Sequence, residues 1–386
     1  MVRAQSSEQC DEMPGFEVRN IARMRDMSRR LMRLLTYLLV LFAVVIFVHA
    51  DDGGNSSKWT VQKTGDNTNL RGVSVASFAN SHGVTGTVVW ASGSNGVILQ
   101  SKDLGETWKR LHVQGGEELD FRSIQARDAT TAYVMSSGDA GNSRIYKTTD
   151  GGANWKLQYT DKRKEFFLDA LVCSSKIECF AVGDPIDGKF VILQTMDGET
   201  WKQLSTEQMP AALPDEGAFA ASGTCLAVYN RRDVYFVTGG PAARLFHSSD
   251  AGYSWTVNST PIVSGNVSSG IFSISAWDKA LVIVGGDYKD PNNRNHVAAY
   301  SADQGKTWKL AEQQPGGFRS AVARFDEKSF VAVGPNGEDV SEDGGAHWRH
   351  TDSRNLNALA LSRGAWAVGP LGTIARSTWP SKIIIH

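Results

Sequence analysis

From residue 59 onward, short apolar runs alternate with polar, glycine-bearing breaks, and the runs keep one form along the chain. VVWASGSNGVILQ, AYVMSSGDAGNSRIYK, CFAVGDPIDGKFVILQ, VYFVTGGPAARLFH, LVIVGGDYKDPNNRNHVAAY, FVAVGPNGEDV and AWAVGPLGTIARST each read as strand, glycine-rich turn, strand. Runs this short, rich in Val, Ile and aromatics and bounded by Gly, Asn, Asp or Pro, are strands rather than helices. A further strand precedes each unit, as in FRSIQARD at 121–128 and FRSAVARFD at 318–326. A tryptophan opens another strand after it, as in WKRLHV. Four strands repeating every ~40 to 54 residues is the period of a propeller blade. The pattern therefore predicts an all-β, seven-bladed β-propeller with four-stranded blades over residues 51–386. The last unit lacks its fourth strand, and Trp59–Lys63 reads as an orphan fourth strand. Pairing it with the strand holding Ile374, Ala375 and Arg376 would close the ring and remove two exposed sheet edges.

A second repeat, Ser/Thr-x-Asp-x-Gly-x-x-Trp, punctuates the strands. It places Asp103 before Trp108, Asp150 before Trp155, Asp250 before Trp255, Asp303 before Trp308 and Asp343 before Trp348. Asp197 and Trp201 belong to a copy one residue shorter. The carboxylate is suited to accept backbone N–H bonds inside a turn between third and fourth strands. The glycine supplies a positive φ, and the buried indole contributes about 2–3 kcal/mol. These residues are read as structural rather than catalytic.

Charge narrows the partners. With 40 basic and 41 acidic residues the net charge is −1. Such a chain lacks the basic excess that nucleic acid demands, so no nucleic-acid partner is expected. The scattered histidines and the cysteine spacing predict no metal site and no cofactor. Cys173 and Cys179 flank a turn between neighbouring strands, where a disulfide is expected in an oxidising compartment. Cys225 reads as a small buried residue.

The first 50 residues differ from the rest. LLTYLLVLFAVVIFV, at 34–48, follows a run of arginines from Arg23 to Arg33. As a helix it would extend ~22 Å, short of the ~30 Å hydrocarbon core. Residues 1–50 are therefore expected to form a signal peptide cleaved after Ala50. An uncleaved membrane anchor is the alternative, and would be the chain's one membrane contact. Either way residues 51–386 are expected outside the cytoplasm, in a periplasmic, lumenal or extracellular space.

Propeller topology puts the Asp-bearing turns on one face and the second-to-third strand loops on the other. The latter is where recognition is expected. Aligning the innermost strands LRGVSV, FRSIQA, FLDALV, GAFAAS, IFSISA, FRSAVA and LNALAL brings Arg71, Arg122, Leu168, Ala218, Phe272, Arg319 and Asn357 to equivalent positions. Around a closed ring Arg319, Asn357, Arg71 and Arg122 are consecutive, a polar and basic arc beside the channel.

The repeated Val-Gly-x-x-Gly element and the turns in AVGPNGEDVSEDGGAHW and YKTTDGGANW resemble Asp-box (BNR) repeats. Among propellers built on them, the chain is most similar to the photosystem II assembly and stability factors and their bacterial relatives. The resemblance covers residues 59–379. It implies an exported, non-catalytic propeller that binds a protein or peptide, such as part of a membrane-protein complex, through an arginine-rich patch on one face. By position Arg71, Arg122 and Arg319, with Asn357 in the same arc, are the candidates, because guanidinium groups bind carboxylates bidentately. The alternative is a carbohydrate-active enzyme, sialidase-like or another glycoside hydrolase. The nearest match to a sialidase arginine element, Arg144-Ile145-Tyr146, falls within a third strand. A glycoside hydrolase needs two carboxylates ~5–9.5 Å apart, for which Asp169, Asp184, Asp187, Glu216 and Asp287 are the candidates.

Overall fold

The computed structural model describes residues 59–79, 85–362 and 364–377. The expected export segment of residues 1–50 and its cleavage point lie outside the described residues. Among the described residues there is no α-helix, and the strands form seven antiparallel sheets arranged as blades. The blades span 70–111, 121–160, 168–203, 226–259, 266–310, 321–352 and 358–377. The fifth carries one additional short strand, Gly239–Gly240, on its inner edge. Trp59–Gln62 completes the seventh blade, pairing antiparallel with Ile374–Ser377 from Trp59↔Ser377 to Gln62↔Ile374. The indole of Trp59 also donates to the Glu338 carboxylate of the sixth blade, so the closing strand is tied to two blades.

The repeated turns are built alike. In the first blade the Ser101 hydroxyl donates to Asp103 at 2.7 Å and accepts from Gly105 N–H at 2.8 Å, while Asp103 accepts Thr107 N–H at 3.0 Å. The same three contacts recur around Asp150, Asp250, Asp303 and Asp343. Asp197 keeps them in a shorter frame. These hydrogen bonds hold Asp103, Asp150 and Asp303 at about 2, below the usual carboxylate range. Gly105 sits at φ 92°, where a side chain would be strained and would meet Trp366.

Tryptophan and its partners join one blade to the next. Trp108 meets Trp366 of the seventh blade edge-on at 6.2 Å, Trp155 meets Trp90 of the first at 6.0 Å, and Trp201 meets Tyr133 of the second at 6.4 Å. Edge-to-face pairs of this kind contribute beyond the area they bury. In the third blade Cys173 and Cys179 are opposite one another in the register and joined by a disulfide, and Cys225 is free and buried.

One irregularity recurs near the start of the innermost strands. Leu70 pairs with Gly93 and Gly72 with Ser92, leaving Arg71 without a partner residue in the ladder. Arg122, Asp169 and Phe272 are left over in the same way in the second, third and fifth blades. Each is the extra residue of a β-bulge, a device that bends a strand and re-aims one side chain. In the sixth and seventh blades Ser320 and Asn357 hold this place, their N–H groups bonding to Val333 and Val368, which also face Ala321 and Ala358. The fourth blade enlarges it. Gly217 pairs with Gly239 and Leu226 with Phe236, so residues 218–225 stand opposite only Val237 and Thr238.

Trp348 is 1% exposed, donates to the Gly345 carbonyl at 3.0 Å and packs with residues of the fifth and sixth blades. Replacing it by alanine should cost about 3–5 kcal/mol, read as a shift of the urea unfolding midpoint. A loss below about 1 kcal/mol would show that this side chain does not fasten the two blades.

Candidate functional site: the channel mouth

The bulged residues come together. Arg71, Arg122, Asp169, Phe219, Phe272, Ser320 and Asn357, one from each blade, all line a single cavity of about 470 Å³. It opens where the inner strands begin, the end away from the Asp-bearing turns. Asp184 and Tyr288, from the far ends of second strands, and Pro335, from the loop after another, complete its rim.

Three of the four residues expected in the arc stand at this mouth: Arg71, Arg122 and Asn357. The fourth requires a correction. Arg319 lies one residue before the bulge, at the position occupied by Leu70 and Leu356, whose N–H groups likewise bond to the preceding blade. It is completely buried. Its Nε donates to Asp339 at 2.6 Å, and its remaining nitrogens reach Asp339, Asn336 and the Phe318 carbonyl. An arginine so enclosed is a packing element held by its own counter-ion. The aligned positions of Leu168 and Ala218 slip in the same way. The bulge places Asp169 at the channel in the third blade, and the enlarged bulge supplies Phe219 in the fourth. The signal for that slip is polarity: Asp169, already among the carboxylate candidates, is the one charged residue between Phe166 and Cys173, in a strand otherwise apolar.

The cavity is divided around its circumference. Blades seven, one and two contribute Asn357, Arg71 and Arg122. The Asn357 amide donates to Asn69 Oδ1 at 2.7 Å and Leu70 O at 2.8 Å. Arg122 donates through Nε to Asp120 at 2.7 Å and through Nη1 to Ala220 O at 3.0 Å. Arg71 makes no hydrogen bond or ion pair with any described residue, and its Nε is buried without a partner. Burial, then the neighbouring Arg122 charge, lower its pKa against the opposing pull of Asp120. An arginine that is partly buried and unpaired is uncommon, since each unmet donor carries a desolvation cost.

Blade three supplies the opposite charge. Asp169 is 1% exposed and makes no hydrogen bond among the described residues, its Oδ2 being buried and unpartnered. Burial, reinforced by the Asp184 charge and opposed by Arg122, drives its pKa well up. Asp184 accepts the Ala218 N–H at 3.1 Å, and burial together with Asp139 pushes it up to about 6. Blades four and five add an aromatic wall in which Phe219 and Phe272 stack at 3.8 Å with 7° between planes. Phe318 meets Phe272 edge-on at 4.6 Å.

The remaining carboxylate candidates are elsewhere. Glu216 is buried against Arg244 and Thr238, accepting at 2.8 and 2.6 Å. Asp187 is exposed in a tight turn at φ 53°. Asp287 caps its own loop, accepting from Lys289 N–H and the Asn266 amide. Of the five carboxylates considered for hydrolysis, only Asp169 and Asp184 line the cavity. No cluster of metal-ligating side chains occurs among the described residues.

Fold and site together define a seven-bladed propeller with a cavity at its channel mouth. The chain belongs to the DUF6242 β-propeller domain family, whose profile matches residues 53–328. It is similar to the photosystem II assembly lipoprotein Ycf48 of Synechococcus sp. (strain CC9902), 23% identical over 299 residues, 74% of this chain and 76% of that one. Among solved structures it resembles YCF48 from Cyanidioschyzon merolae, with a TM-score of 0.60 and 16% identity over 83% of this chain and 98% of that one. It also resembles YCF48 bound to D1 peptide, with a TM-score of 0.58 and 14% identity over 83% and 96% of the two chains.

The raised carboxylates make a stability prediction. A carboxyl group whose folded pKa lies above its unfolded value favours the fold at low pH and loses that contribution as pH rises through the folded value. For Asp184 the loss runs from its ordinary 3.8 to about 6. Asp184→Asn keeps the acceptor for Ala218 and removes the charge, so it should melt higher than the parent at about pH 8 and converge with it below about pH 4. Equal melting temperatures at both pH values would show that the carboxylate is not desolvated.

Proposed function

We propose that this chain is an exported, non-catalytic propeller that binds an acidic peptide segment of a protein partner at its channel mouth, in the manner of the photosystem II assembly factors. The observation that carries this reading is Arg71, a guanidinium set into the cavity wall with no partner among the described residues. Beside it Arg122 spends Nε and Nη1 on Asp120 and Ala220, and its Nη2 makes no hydrogen bond to a described residue. A carboxylate entering here would meet donors from two guanidinium groups, the charge-assisted contact for which arginine is best shaped. Asn357 shares this side of the cavity. The likeness to a propeller bound to D1 peptide supports a peptide as occupant, and the lipoprotein relative supports a location outside the cytoplasm. We place the partner in a membrane-protein complex for the same reason.

The test is binding of a fluorescein-labelled glutamate-rich peptide lacking basic residues, followed by anisotropy at low and physiological salt. Arg122→Glu and Arg71→Gln should each weaken it about tenfold or more, roughly 1.4 kcal/mol; Arg71→Gln should do so without lowering the melting temperature, whereas Arg122→Glu also loses the bonds to Asp120 and Ala220 and should melt lower. Affinity that both variants leave intact would remove the arginine side of the cavity from recognition. Turnover of a fluorogenic glycoside that Asp184→Asn abolishes would instead establish an enzyme.

A further inference from the structure

We propose that the third- to fifth-blade side of the cavity is a second subsite, taking the guanidinium of an arginine in the same bound peptide. The proposal rests on the peptide reading above for the identity of the ligand, but the subsite stands on separate observations. Asp169 lies in the wall with Oδ2 buried and unpartnered. Asp184 lines the same cavity, its carboxylate holding only the Ala218 N–H among the described residues. No cation among the described residues is bonded to either carboxylate. Arg122, whose charge acts on Asp169, is bonded to Asp120 at 2.7 Å.

Next to these carboxylates the stacked rings of Phe219 and Phe272 line the cavity, with Phe167 also in its wall. A planar guanidinium matches such surroundings on both counts. Its fork satisfies carboxylate oxygens in pairs, and its weakly hydrated faces lie readily on aromatic rings. Opposite charges on the two sides of one cavity therefore select a peptide carrying both a carboxylate and a basic side chain. Neither side is quenched by the other, since Arg71 and Asp169 each remain unpaired among the described residues.

The subsite should also respond to pH. The groups acting on the two carboxylates are each other, Arg122, Asp139 and the Cys225 thiol, with Asp120 and Arg71 behind Arg122. A cation binds once a proton has left the pair, so its affinity should rise as pH passes upward through the Asp184 value of about 6. Acidic peptides without a basic residue should show no such rise.

N-acetyl-arginine amide, which carries a cation and no carboxylate, tests the subsite independently of the arginine side. Titrated into the propeller and followed by NMR, with N-acetyl-norleucine amide as control, it should bind saturably. The affinity should grow about tenfold from about pH 5 to about pH 8. Asp184→Asn and Asp169→Asn should abolish that binding, Phe219→Leu should weaken it several-fold, and Arg71→Gln should leave it in place. Failure of the wild-type chain to bind the probe at either pH, or binding that both aspartate variants leave unchanged, overturns the subsite. Loss of glutamate-peptide binding with retention of the arginine probe would fault the peptide reading alone, so the two failures are distinguishable.

Discussion

Everything in this molecule depends on closing a ring of sheets whose edges would otherwise be open. Each four-stranded blade has polar edges, and seven blades in sequence would still leave two free ends. The pairing of Trp59–Gln62 with Ile374–Ser377 brings both ends into one sheet, and the bond from Trp59 to Glu338 adds a link to the neighbouring blade. Within the ring, aromatic contacts such as Trp366 with Trp108 and Trp90 with Trp155 do for successive blades what the closing strand does for the ends. The channel exists because those contacts set the inner strands side by side.

Much of this was legible in the sequence because the repeat encodes it locally. A hydroxyl, a carboxylate and a glycine at fixed spacing contain a turn's hydrogen bonds within a few residues, and the tryptophan after them marks where the next strand leaves. Counting those elements gave the number of blades, and the missing last strand gave the closure. The site was read less well for an equally local reason. A bulge adds one residue to a strand without changing its composition, and a one-residue slip exchanges the channel-facing and core-facing sets. Arg71, Arg122, Phe272 and Asn357 were aligned correctly. Arg319, Leu168 and Ala218 were not, since FRS at 121–123 and FRS at 318–320 are identical yet enter their strands one residue apart. In the sixth blade the second phenylalanine, Phe318, meets Phe272 at the cavity, with Arg319 turned inward to Asp339.

The bulges also separate two demands that usually compete. A residue inside the ladder must fit its neighbours, whereas a bulged residue is released from cross-strand pairing and answers only to the cavity. Seven such places, one per blade, hold two arginines, an aspartate, two phenylalanines, a serine and an asparagine around one opening. The core residues flanking them, such as Leu70, Phe121 and Leu168, stay apolar and buried. Chemistry can therefore change at one blade without repacking the next, and this explains why a shared fold at low identity leaves ligand choice open.

The closing strand has a consequence for how the protein is made. Its partner lies more than 300 residues further along the chain, so the first strand to leave the ribosome must wait for one of the last. Contacts of such sequence separation form slowly. Until they do, Trp59 and the open edge of the seventh blade are both exposed, and the nascent propeller is an incomplete ring with two adhesive ends. Synthesis of Ile374–Ser377, and their passage across any membrane, thus becomes the event that licenses the final fold.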